Sequence, residues 1–219
     1  MCKPTSASAR AVLDRLEKAH PDARVYLDFD SPLRLLVATI LAAQCTDAKV
    51  NQVTPALWKA FPTARALADA DRSELEAIVR PTGFFRKKAE SVQVVCRAVV
   101  EEFGGRVPES VEELTRLPGI GRKTANVVLG EAFGRQAIAV DTHVGRVSQR
   151  IGLARSKQPD KIEAELCAII PEGRWTRATE LIGTHGRRIC SAKKPACPSC
   201  PISKLCDYYA EHPTGGAEG

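Results

Sequence analysis

The stretch that decides the fold runs from Leu117 to Asp141, LPGIGRKTANVVLGEAFGRQAIAVD. Pro118-Gly119-Ile120-Gly121 is a tight turn whose two glycines permit positive φ and leave the backbone uncovered. A helix follows, with Ala125, Val128, Leu129 and Ala132 at the i, i+3, i+4, i+7 spacing of a buried stripe. Backbone N–H groups at its start, beside Arg122 and Lys123, make a place for a phosphate. On a helical wheel Lys123 falls opposite the stripe, near Val127 and Gly130, so its amine is expected in a partly dry cleft. Asp141 closes the stretch, ahead of a second helical pattern in Val144, Val147 and Ile151. Singly, each feature has a bland explanation. A glycine turn is often only a turn, a first-turn Lys is usually solvated, and an Asp before a helix is usually its N-cap.

Helical periodicity extends outward in both directions and makes the class all-α. The pattern predicts helices over Arg10–His20, Pro32–Ala43, Ser73–Val79, Arg86–Phe103, Ser110–Arg116, Pro159–Ile170 and Arg174–Arg188. Thr46 and Asp47 offer caps for one more, in which Pro55 predicts a kink or a fresh start after Thr54. Arg24–Phe29 is the nearest thing to a strand and is short. His212–Gly219 reads as a disordered tail.

The 219 residues suffice for a good core in one domain or two small ones. Lys and Arg number 32 against 26 Asp and Glu, a net +6 that suits a polyanionic partner without identifying one. No apolar segment opens the chain, and the longest apolar run, Leu35–Ala43, is far short of a bilayer span. A cytoplasmic protein is expected.

Cys2, Cys45, Cys96 and Cys167 are scattered, but the other four cysteines crowd into Cys190-x6-Cys197-x2-Cys200-x5-Cys206. A secreted disulfide scaffold would be shorter and would carry a signal. One metal centre is the economical explanation. Zinc sites usually pair two knuckles across a longer spacer, whereas iron–sulfur clusters accept crowded, uneven spacings. From Thr184 to Cys206 there are Arg187, Arg188, Lys193, Lys194 and Lys204 and no acidic residue. That run is either a solvated face balancing an anionic centre or a phosphate-contacting patch.

Taken together, LPGIGRKTANVVLG resembles the helix-hairpin-helix of the DNA glycosylase superfamily, and AVDTHVGRV resembles the segment with its catalytic Asp. The tail ICSAKKPACPSCPISKLC resembles the [4Fe-4S] loop of the endonuclease III family, and the likeness extends from Pro32 to Cys206. The resemblance implies a six-helix barrel over 23–135 and an iron–sulfur domain formed by 1–22 and 136–219, with a cleft between them. It implies a [4Fe-4S] cluster on Cys190, Cys197, Cys200 and Cys206. It also implies a monomer acting on double-stranded DNA with damaged pyrimidines or abasic sites. Gly119, Gly121 and Arg122 would hold phosphate in the hairpin, and Lys193 and Lys194 would do so in the cluster loop. Gln44 matches the residue that fills the space of an extruded base. Phe84 stands where the family usually has a wedging Leu, a departure that bears on opposite-base preference and substrate range.

The chemistry fits these residues. Breaking an N-glycosidic bond builds positive charge on the sugar, which Asp141 can stabilise. A deprotonated Lys123 can attack C1′ and form a Schiff base, after which β-elimination cuts the strand. An adenine or mismatch glycosylase of the same superfamily would lack the Lys and carry a further C-terminal domain. A non-catalytic DNA-gripping module needs no Lys/Asp pair and no metal, and a small electron carrier needs no phosphate turn.

Overall fold

The structure, a computed structural model, describes residues 5–213, and every regular element among them is helical. Side-chain caps set most of the helix starts. α1 (Ser6–Ala19) opens at Thr5 with a reciprocal Thr5–Ser8 capping box, which starts the helix ahead of Arg10. α2 (Pro32–Leu41), α3 (Asp47–Ala60), α4 (Ala64–Ala68) and α5 (Arg72–Val79) are capped by Ser31, Thr46, Thr63 and Asp71. Each such cap stabilises by about 1 kcal/mol relative to Ala. α6 (Phe85–Phe103), α7 (Val111–Leu114) and α8 (Arg122–Phe133) follow. Then come α9 (Thr142–Arg150), α10 (Pro159–Ile169), α11 (Trp175–Arg188) and α12 (Asp207–Glu211).

Some expectations are corrected. α2 stops at Leu41 rather than Ala43. α3 runs unbroken through Pro55; the missing N–H forfeits a bond to the Asn51 carbonyl, but Val50, Val53, Thr54, Leu57 and Trp58 bury one continuous face. The short α4 and α12 escaped the periodicity because neither completes two turns. Arg24–Phe29 is irregular, and Asn51 pins it by accepting from the Asp28 N–H and donating to the Tyr26 carbonyl. His212 closes α12 with its ring stacked on Tyr208 at 4.6 Å, so the tail begins in structure. Residues 214–219 and Cys2 lie outside the described residues.

The chain divides into two compact units, Tyr26–Gly134 and Met1–Val25 with Arg135–Gly219. In the first, α4 and α5 pack on α6, α3 packs on α5, and α2 packs on α6 and α8. Leu35, Leu36, Leu57, Leu67, Leu75, Val92, Val99 and Val128 are fully buried there. Cys96 fills the same core, its thiol pushed up to about 12 by burial, which makes it an inert packing residue.

In the second unit α11 packs against α1 and α9, and α9 also meets α10 and α12. Val12, Leu13, Leu16, Ile138, Val144, Val147, Leu166 and Leu181 belong to its core. Truncating such a leucine to Ala costs about 2–5 kcal/mol. Gly186 lets α9 and α11 approach closely, since a Cβ there would come within 3.0 Å of the His143 Cβ and a Val147 methyl. Arg174 pairs with Asp14, Arg177 with Glu17, and Arg188 grips Asp22 at 2.8 and 2.7 Å. Exposed pairs of this kind contribute about 0–1 kcal/mol each. Among the described residues no helix is long and apolar enough to cross a membrane.

Candidate functional site

The hairpin is built from its caps. Ser110 caps α7, accepting from the Glu113 N–H and donating to the Glu113 carboxylate. The chain then turns, with the Ile120 N–H bonded to the Leu117 carbonyl at 3.0 Å. Gly119 takes φ +77°, a conformation that a side chain would strain. Gly121 does not: at φ −90° and ψ 170° it is extended, and it serves as the N-cap of α8 with no side-chain acceptor. The first N–H groups of α8 therefore have no side-chain cap and carry the positive end of the helix dipole outward. Arg122 and Lys123 are exposed in that first turn, while Ala125, Val128 and Leu129 are buried. Lys123 is exposed because the first turn precedes the packed part of the helix.

Asp141 ends an extended segment that docks on α11. The Ala137 and Ala139 N–H groups donate to the Thr176 and Thr179 hydroxyls, and Ile138 and Val140 are buried. Oδ1 of Asp141 accepts from the His143 and Val144 N–H groups at 2.9 and 2.7 Å, so the residue is the N-cap of α9. Oδ2 lies 3.8 Å from an Arg187 nitrogen, and the side chain is 23% exposed. Burial holds the adjacent His143 imidazole below the usual histidine range, against the pull of Asp141, so it is neutral near pH 7. One oxygen caps α9 and the other faces Arg187.

Gln44 and Phe84 share an unusual backbone. Among the described residues they are the two non-glycine residues with positive φ, at 53° and 47°. Both are exposed, Phe84 at 66%. Strain held on exposed side chains marks a candidate for function.

The family now follows from comparison with known proteins. The HhH-GPD superfamily of base excision DNA repair proteins matches residues 37–172, which include the hairpin, Lys123 and Asp141. Endonuclease III of Synechocystis sp. is 51% identical over 90% of this chain and 91% of its own. The chain belongs to the endonuclease III family of this superfamily. Its fold agrees. A trapped endonuclease III–DNA covalent intermediate superposes with a TM-score of 0.89 at 42% identity, covering 94% of this chain and 98% of that one. A non-covalent endonuclease III–DNA complex gives 0.88 at 42% identity, covering 94% and 97%.

Cys190, Cys197, Cys200 and Cys206 of this endonuclease III family chain line one small cavity beside His185, Ile189, Ile202 and Tyr208. All four are free thiols. Among the described residues no three His, Cys, Asp or Glu side chains close on one point as ligands of a single ion do. Burial, with the neighbouring thiols, pushes Cys197, Cys200 and Cys206 up, Cys200 to about 11. Such a set ionises together only around a positive centre, so the donors fit a metal–sulfur group. Arg150 reaches the Cys190 sulfur at 3.5 Å and the Ser191 and Ala192 carbonyls at 2.7 and 2.8 Å. His185 lies 3.5 Å from the Cys200 sulfur and 3.1 Å from His20. Lys193 and Lys194 are exposed in the loop between the first two cysteines.

The sequence reading passed over Arg150, His185 and His20. A signal existed for Arg150, a charge three residues from Val147 on an otherwise apolar face. None existed for the two histidines, which lie far apart in the chain.

Proposed function

We propose that this protein is a bifunctional DNA glycosylase and abasic-site lyase. It removes oxidised pyrimidines of the thymine glycol type from double-stranded DNA and cuts the resulting site by β-elimination. The observation that carries this reading is the α8 start, where Lys123 stands exposed beside N–H groups that have no side-chain cap. A DNA phosphate takes those N–H groups with Gly119, Gly121 and Arg122, which brings the backbone of the strand to the amine.

Neutral Lys123 attacks C1′ of the damaged nucleotide. The N-glycosidic bond breaks, and the base leaves with its electron pair and takes up a proton. Asp141 stabilises the positive charge that builds on the sugar through the oxygen not spent on its cap. The sugar ring opens to a Schiff base with Lys123. Loss of a C2′ proton then expels the 3′-phosphate, and water releases the enzyme. Gln44 fills the space of the extruded base and Phe84 wedges the stack, both offered by exposed turns.

Cys190, Cys197, Cys200 and Cys206 would hold a [4Fe-4S] cluster, supported by their shared cavity. When bound, the cluster supplies a fixed centre around which the cysteine loop is ordered. Lys193 and Lys194 on that loop contact phosphate. The unit Tyr26–Gly134 then serves as the six-helix barrel and the other as the iron–sulfur domain. The protein works as a monomer in the cytoplasm, on the nucleoid.

The test is product analysis on a duplex with a single thymine glycol. Release of the base together with a 3′-unsaturated aldehyde and a 5′-phosphate is expected. Release of the base from an intact strand would make the protein monofunctional. Binding without either product would leave only a DNA-gripping module.

A further inference from the structure

The strained Phe84 turn of the unit Tyr26–Gly134 needs something to hold it, and one buried cation is anchored beside it. Lys88 stands on α6 one turn after Phe84, its backbone N–H bonded to the Phe84 carbonyl at 3.0 Å. Its side chain runs inward and the residue is only 5% exposed. Nζ donates to the Thr82 carbonyl at 2.7 Å. Thr82 is itself buried, and its hydroxyl donates to the Val79 carbonyl at 2.8 Å. The Thr82 carbonyl ends the short 3₁₀ turn Arg80–Thr82, where helical carbonyls gather partial negative charge. The anchor lies two residues before Phe84.

Burial also depresses its pKa. A lysine buried this deeply costs folding free energy that an apolar side chain of similar volume would not. Core filling therefore does not explain it, whereas fixing a carbonyl beside a strained residue does.

We propose that Lys88 is a positioning residue that holds the Phe84 turn in the conformation that enters DNA. It touches no DNA and acts through Phe84. The inference rests on reading Phe84 as an insertion residue.

The test is affinity for a duplex containing a tetrahydrofuran abasic analogue, measured for wild type, Lys88→Met, Phe84→Ala and the double variant. Phe84→Ala is expected to weaken binding about tenfold, the scale of a lost base-stacking contact. Lys88→Met should weaken it by a similar factor, and the double variant should lie within about twofold of Phe84→Ala, because the two changes remove one function. A 2-aminopurine beside the analogue should brighten less on binding Lys88→Met than on binding wild type. Losses that multiply in the double variant would overturn the proposal. So would a Lys88→Met that binds like wild type while Phe84→Ala does not, with the insertion reading left standing. Wild-type binding by Phe84→Ala would defeat the insertion reading and this inference together. Should Lys88→Met fail to fold, Lys88→Gln, too short to reach the Thr82 carbonyl, replaces it with the same outcomes.

Discussion

α8 and α9 begin in opposite ways. α8 starts at Gly121, which offers no side-chain acceptor, and its first turn presents Arg122 and Lys123. α9 starts at Asp141, whose carboxylate fills its own helix terminus with two short hydrogen bonds. One terminus is left without a side-chain acceptor, and the other carries its anion with it. A helix N-terminus is therefore not a function in itself; the residue at the cap decides whether the positive end binds DNA or orients a carboxylate.

The sharpest way to break this contrast is Asp141→Asn. Asn caps as well as Asp, so the melting temperature should stay within a few degrees of wild type. Base release in single turnover should fall by about 10²–10³-fold, the scale of a lost electrostatic stabiliser. Equal loss of stability and rate would reduce Asp141 to a cap.

The complementary change is at the α8 start. A Cβ at Gly121 meets nothing within 4 Å, so Gly121→Ala should fold normally. The new methyl crowds the phosphate, and we expect affinity for abasic-analogue DNA to drop by about tenfold, as when a charge-assisted hydrogen bond is lost. Gly119→Ala should instead cost stability, by about 1–2 kcal/mol, because φ is +77°. Urea unfolding and a binding titration on both variants separate the two glycines. Normal DNA binding by Gly121→Ala would show that phosphate does not use this terminus.

Phosphate contacts outside the hairpin have their own signature. Replacing Lys193 and Lys194 together should lower the slope of log affinity against log salt by about 1.8, and Arg122→Ala by about 0.9. An unchanged slope would leave Lys193 and Lys194 as a solvated face. The smallest effect is expected at Phe84. Phe84→Gly relieves a left-handed φ on a mostly exposed side chain, so the melting temperature should hold or rise slightly. A marked fall would mean that Phe84 supports the fold.

What was legible in the sequence follows from how local the physics is. The helices, their caps and the buried stripe of α8 are short-range, and Thr46 caps α3 as the sequence offers. Pro55 starts no new helix, because a face packed along all of α3 outweighs one missing hydrogen bond. For Lys123 a wheel gives a direction and not what stands there. Gln44 and Phe84 were found only through family likeness, since left-handed φ at a non-glycine residue has no sequence signal. The His20–His185 contact spans most of the chain, and no periodicity reports it.

The most direct measurement is borohydride reduction of the protein on a duplex carrying one thymine glycol, with peptide mapping of any adduct, for wild type and Lys123→Ala. We expect a covalent protein–DNA adduct with wild type, mapped to Lys123, and none with Lys123→Ala. Equal trapping by both proteins, or an adduct mapped to another residue, would contradict the assignment of the nucleophile to the α8 start.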